Sequence, residues 1–230
     1  LCRKEEQQFT TLYALYIELF DGTNKSANYN YIKERNFGRN KSIRLKKTIL
    51  DMYYRTGTYI AGDWDHDYDA VEMLHYWNES SRYGLSFSDA HDLKQSRDSS
   101  LNCTIKRSLA DRMNVSKTFV LIVGENTISL RAGGCHYCSD YRISYWFEPY
   151  CTRGNTIDNR SYINFECEKA VKDGLSIIVL YKSTSVERSK CPEILRYRGI
   201  HVPMKKWNTV TWRSEWDYQS VKSAFDAIKK

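Results

Sequence analysis

The sequence predicts an α/β domain built on a five-stranded, mainly parallel sheet with helices on both faces. Three observations predict it. Phe119–Val123 and Leu175–Leu180 are apolar throughout, as strands buried on both faces are. Leu101, Ile105, Leu109 and Met113 recur every fourth residue before the first of these runs, which is a helical stripe. Near residue 56 the rhythm changes from helical stripes alone to strands alternating with helices, the pattern of a parallel sheet.

Each element follows in turn. Phe9, Leu12, Tyr13, Tyr16, Ile17 and Phe20 share one helical face that stops at Gly22, and a second helix is expected from about Asn40 to Tyr54. Together they predict an N-terminal helical extension over 1–55, followed by the main domain over 56–230. Thr58–Ala61 reads as a strand closed by the acidic turn Gly62-Asp63-Trp64-Asp65-His66-Asp67. A helix with Val71, Leu74 and Trp77 inward follows, then a short strand Leu85–Phe87 ending at Ser88-Asp89. Phe119–Val123 ends at Gly124-Glu125-Asn126-Thr127, and an insert of about 128–158, rich in Cys, Tyr and Gly, reads as irregular. Arg160–Lys172 reads as a helix, with Asp158, Asn159 and Ser161 supplying capping chemistry and Gly174 the stop. Asp217–Lys230 closes the chain with Val221, Phe225 and Ile228 inward. In such sheets ligands bind beyond the carboxyl ends of the strands. That rule points to Asp63–Asp67, Asp89–Asp92, Gly124–Thr127 and the loop after Tyr181.

Composition excludes several classes. With 41% hydrophobic and 27% charged residues the chain can bury a core, and its longest apolar runs fall far short of the roughly 20 residues that span a bilayer. Leu1–Glu6 carries no secretory signal, and the absence of an initiator Met predicts a truncated or processed chain. Seven cysteines, an odd number, predict a reducing compartment rather than a disulfide framework. The net charge of +7 is uneven: residues 1–57 hold 11 Lys/Arg against 6 Asp/Glu. The stretch Lys33–Lys47 reads either as a solvated helix face or as a polyanion patch, and without an aromatic-rich motif or zinc-finger spacing nucleic acid is not expected. There is no glycine-rich phosphate loop, no dinucleotide fingerprint and no nucleophile elbow.

Glu166 stands out. It lies three residues after Ile163 and four before Ala170, at the edge of the apolar stripe Ile163, Cys167, Ala170, Val171. A carboxylate there needs a partner or a polar pocket. Position alone leaves both readings open, a salt-bridged flank residue or a functional carboxylate.

The run Phe165-Glu166-Cys167-Glu168-Lys169-Ala170, then Gly174 and Leu175–Tyr181, resembles the glutamate helix and following strand of Toll/interleukin receptor (TIR) domains. Gly62–Asp67, Leu85–Asp89 and Phe119–Thr127 resemble the bacterial TIR-like branch of Thoeris antiphage systems. The resemblance covers roughly 56–230 in order. It implies a flavodoxin-like fold and cleavage of NAD+ at the nicotinamide–ribose bond, with no further cofactor. The product would be a cyclic or modified ADP-ribose that activates a separate effector protein in the cytoplasm. The family's catalytic glutamate maps onto Glu166. Asp63, Trp64, Asp65 and Asp89 become candidate substrate-pocket residues, although a packed Trp64 fits its place equally well. The family also implies a homo-oligomer in which a neighbour's loop, here Ser88–Ser99, completes the site. The chain departs from the common pattern in its Gly-Asp-Trp-Asp turn, its long insert and its extension. A non-catalytic adaptor that binds other TIR domains is the alternative function. A receiver-like module is a weaker one, since the third strand ends in Gly124-Glu125-Asn126 rather than a phosphorylatable Asp.

The insert holds Cys135-x2-Cys138, with Cys151 and Cys167 further on. C-x2-C spacing can hold a structural Zn2+ through Cys135, Cys138 and Cys151. Reduced free thiols are the other reading, with Cys167 a buried helix cysteine and His136 a loop residue.

Overall fold

A computed structural model describes residues 55–90 and 101–229. The two N-terminal helices and most of the Ser88–Ser99 loop lie outside the described residues. The strands β1 (Gly57–Ala61), β2 (Ser116–Val123), β5 (Ser176–Tyr181) and β6 (Ile200–Pro203) form one parallel sheet in the order β1-β2-β5-β6. Two antiparallel hairpins stand apart from it, β3 (Tyr141–Ile143) with β4 (Pro149–Cys151), and β7 (Lys205–Asn208) with β8 (Arg213–Trp216).

Alternation along the strands divides the core in two. Tyr59, Ala61, Phe119, Leu121, Val123, Val179 and Tyr181 face one side, packed with Ile163, Cys167 and Ala170 of α3 (Tyr162–Lys172) and Met113 of α2 (Asn102–Asn114). Ile60, Val120, Ile122, Ile178 and Leu180 face the other. There they meet Ala70, Val71, Leu74 and Trp77 of α1 (Tyr68–Glu79) and Val221, Ala224 and Phe225 of α4 (Tyr218–Ala227). Strands buried on both faces are why their sequences show no polar alternation.

The sheet has four strands among the described residues, not five. Leu85–Phe87 is not a strand: Ser86 has φ 55°, and the side chain of Asn78 takes both the N–H of Phe87 at 2.8 Å and its carbonyl at 3.1 Å. With those backbone groups engaged, the segment meets β1 through one parallel bridge, Thr58 with Asp89, the Thr58 N–H reaching the Ser88 carbonyl at 2.6 Å. Strand β6, by contrast, escapes sequence reading because Ile200-His201-Val202-Pro203 is short and half-buried.

Helix α3 carries the residue of most interest, and both its ends are fixed locally. Ser161 is the N-cap and accepts the Asn164 N–H at 3.2 Å. At the other end the Gly174 N–H reaches the Val171 carbonyl at 3.2 Å and the Leu175 N–H reaches that of Ala170 at 3.0 Å. This paired closure needs a left-handed residue, which Gly174 supplies at φ 66°.

Candidate functional site

Three of the four loops indicated by the strand-end rule meet in one pocket of about 310 Å³ at the carboxyl ends of the sheet strands. His66 and Asp67 come from the turn after β1, Glu125 and Asn126 from the turn after β2, and Lys182 and Lys190 from beyond β5. Asp67 is buried directly over Gly124, where a Cβ would fall 2.2 Å from Asp67 Oδ1, so only glycine fits. Lys182 Nζ stands 3.4 Å from Asp67 and 2.6 Å from Asp69, and donates to the His66 carbonyl at 2.6 Å. Burial raises the pKa of Asp67, and Lys182 opposes that rise. Asp67 Oδ2 has no hydrogen-bond partner among the described residues.

The candidate pocket residues divide between two places. Asp63 is buried at the end of β1, 2.7 Å from His66 Nδ1, and its Oδ1 accepts the Asp65 N–H at 3.2 Å. Trp64 is 44% exposed, its ring 6.4 Å from that of Tyr68, and Asp65 is exposed. Asp89 lies elsewhere. Its register with Thr58 puts it level with the second residue of β1 rather than beyond the strand's end, and it meets His75 Nε2 at 3.3 Å.

Glu166 is buried beneath β1, on the α3 face of the sheet, and Tyr59 donates its phenolic hydrogen to Glu166 Oε1. Glu166 does not line the carboxyl-end pocket. Burial pushes its pKa up to about 7, while the Tyr59 hydroxyl and then the Arg112 guanidinium hold it down. Tyr59 is raised well above a phenol's ordinary value, first by burial and then by the Glu166 charge, with Asp89 adding to the rise and Arg112 opposing it. Glu166, Tyr59, Arg112 and Asp89 are thus one electrostatic group, while Asp63, Trp64 and Asp65 belong to the other end. Glu168 points outward, 2.6 Å from Arg160.

Through burial such a carboxyl stays protonated to a higher pH than an exposed glutamate. It can hold a ribose hydroxyl or face a developing positive charge. Tyr59, Arg112, Asp67 and Lys182 went unmarked as individual residues in the sequence. Asp67 and Lys182 lie in loops that the strand-end rule indicates, whereas Tyr59 and Arg112 left no such signal.

The insert cysteines fall at a third place. Cys135 and Cys138 flank a one-turn helix, and Cys151 ends β4. All six described cysteines are free thiols, and Cys167 sits apart in the core. Backbone N–H groups of Arg153 and Asn155 lower the pKa of Cys151. His136 faces Asn159, with Nδ1 3.2 Å from its Oδ1.

A parallel sheet covered by helices on both faces, with polar turns at its carboxyl edge, defines an α/β module consistent with a TIR-like fold. Residues 58–132, about one third of the chain, match the family described as Thoeris protein ThsB, TIR-like domain. Over that stretch the chain is similar to the TIR-like domain of the Thoeris defence protein family. The match includes Asp63, Trp64, Asp65 and Asp89 and ends before Glu166. No curated protein matches the chain. No helix among the described residues is long and apolar enough to cross a membrane.

Proposed function

We propose that this chain is an NAD+-consuming TIR enzyme, acting in the cytoplasm in antiphage defence. It breaks the nicotinamide–ribose bond and releases a cyclic or otherwise modified ADP-ribose, which a separate effector protein reads. The observation that carries this reading is the buried Glu166 carboxyl, poised near neutrality on the helix before the third sheet strand, in a chain with the Thoeris TIR-like match. Nicotinamide leaves as a neutral molecule, so no strong general acid is required. The transition state is oxocarbenium-like, as in glycoside hydrolysis, and a placed carboxylate stabilises it. An atom of the same nucleotide that reaches the ribose carbon before water closes the ring.

Incubation with NAD+ and analysis of the products tests the reading. Glu166→Gln keeps the volume and loses the ionisable group, and its rate is expected to fall roughly a hundredfold to a thousandfold. Glu168→Gln, which gives up a partly exposed ion pair with Arg160, is the near-neutral control.

One observation favours the adaptor reading: Glu166 is already satisfied by Tyr59 inside the core and stands away from the carboxyl-end pocket. A folded Glu166→Gln protein with wild-type NAD+ cleavage would remove Glu166 from the chemistry, and a wild-type protein with no cleavage would make the adaptor the better account.

A further inference from the structure

Four cysteines from three stretches of chain line one small cavity of about 10 Å³. Cys103 comes from the first turn of α2, Cys135 and Cys138 from the short turn in the insert, and Cys151 from the end of β4. Leu101 and Ile157 contribute apolar wall. Hydrogen-bond donors are aimed at two of the sulfurs. The Asp158 N–H stands 3.2 Å from Cys135 Sγ, and the Asn155 side-chain amide stands 3.9 Å from Cys151 Sγ. A thiol sulfur is a poor acceptor, and a charged thiolate is a better one.

The surrounding chain brings these stretches together. Asn102 donates to the Gly134 carbonyl at 2.9 Å and accepts from the Tyr162 hydroxyl at 2.9 Å. The Cys135 N–H bonds the Asp158 carbonyl at 3.0 Å. What the insert lacks is a core: no residue between His136 and Cys151 is buried, and its two strands have three residues each. The hairpin tip leaves Tyr145, Trp146 and Phe147 almost fully exposed. A segment of this kind holds its shape through a staple rather than through burial.

We infer that Cys103, Cys135, Cys138 and Cys151 bind one zinc ion tetrahedrally and clasp the insert to the start of α2. The donor set suits zinc: thiolates with a C-x2-C pair on a tight turn, and no carboxylate or imidazole on the cavity wall. Among the described residues no three metal-ligating groups already stand where they could hold an ion. Binding therefore draws the four sulfurs inward, to about 2.3 Å from the metal. Each thiol gives up its proton to solvent and the ion gives up its bound waters.

The test uses the whole chain, purified with reductant and without chelator. One zinc per chain is expected, and replacement by cobalt(II) should give the intense visible bands of a tetrahedral thiolate site. Cys103→Ser should weaken zinc binding by more than the roughly 10–100-fold that loss of an outer-shell partner costs. Alkylation of the wild-type protein gives a readout that needs no variant. Chelator should expose these four cysteines to reagent, while Cys167 and Cys191, both buried in the core, stay protected with or without it. Four thiols that alkylate freely in a metal-free protein as purified would overturn the site. So would a disulfide among them, or full zinc affinity in Cys103→Ser.

Discussion

The carboxyl of Glu166 titrates near neutrality because water has been taken from it and only a phenol and a neighbouring guanidinium return part of what is lost. In the unfolded chain the same group titrates near 4.5. Between these values the folded protein binds the extra proton, so stability falls as pH rises through the window from about 4.5 to about 7 and is flat beyond it. The whole effect is roughly 3 kcal/mol. Urea unfolding at pH values from about 5 to about 8 should show this decline in the wild type and its loss in Glu166→Gln. The variant should be the more stable protein at the alkaline end; equal slopes in the two proteins would mean that Glu166 is not desolvated. Half of this was legible in the sequence. The position of Glu166 at the edge of an apolar stripe could be counted from residue spacing, as could the Ser161 cap. Tyr59 and Arg112 could not, because they come to Glu166 from a distant strand and from another helix, and no local period encodes such a meeting.

At the scale of elements, α2 shows where periodicity misleads. Its stripe places Lys106 off the apolar face, yet Lys106 is 4% exposed because residues 158–160 lie across it. Its ammonium donates to the Asp158 carbonyl at 3.0 Å and the Arg160 carbonyl at 2.7 Å, and stands 3.2 Å from the Asp158 carboxylate. Arg160 first, with Lys106 assisting, pulls the Asp158 pKa down to about 2. The sign is opposite to that of Glu166: this stabilisation is complete above about 3.8 and is lost as pH falls toward 2. Lys106→Met keeps the stem and removes the charge. It leaves the Arg160 carbonyl without this donor, while the Asp158 carbonyl keeps the Cys135 N–H and its carboxylate keeps Arg160, so the expected cost is about 1–3 kcal/mol by chemical denaturation at neutral pH. A cost near zero would mean that water replaces the ammonium. The hairpins were illegible for a related reason. Tyr141–Ile143 and Pro149–Cys151 are too short and too exposed for alternation to show, whereas the fully apolar β2 and β5 announced themselves.

At the scale of the whole molecule, the two polar places of this α/β module are separated within one chain. The carboxyl-end pocket gathers Asp67, Lys182 and Lys190, while Glu166 sits under β1 with Tyr59. A dinucleotide cleaved beside Glu166 needs more contacts than Tyr59 and Arg112 supply. Strand β1 is an outer strand of the four-stranded sheet, met on its far side, among the described residues, by one bridge at Asp89. Under the proposed function, a neighbouring copy, expected to complete the site with its 88–99 loop, would supply further contacts at this edge. The reaction is then second order in protein at low concentration. NAD+ cleavage per mole of chain should rise with protein concentration and reach a plateau where light scattering reports a dimer or larger species. Lys182→Ala, which opens the carboxyl-end pocket without touching this edge, should leave the concentration dependence in place even if it changes the plateau. Constant specific activity from a species that scatters as a monomer throughout would show that one chain holds the complete site, and that the edge of β1 has no part in catalysis.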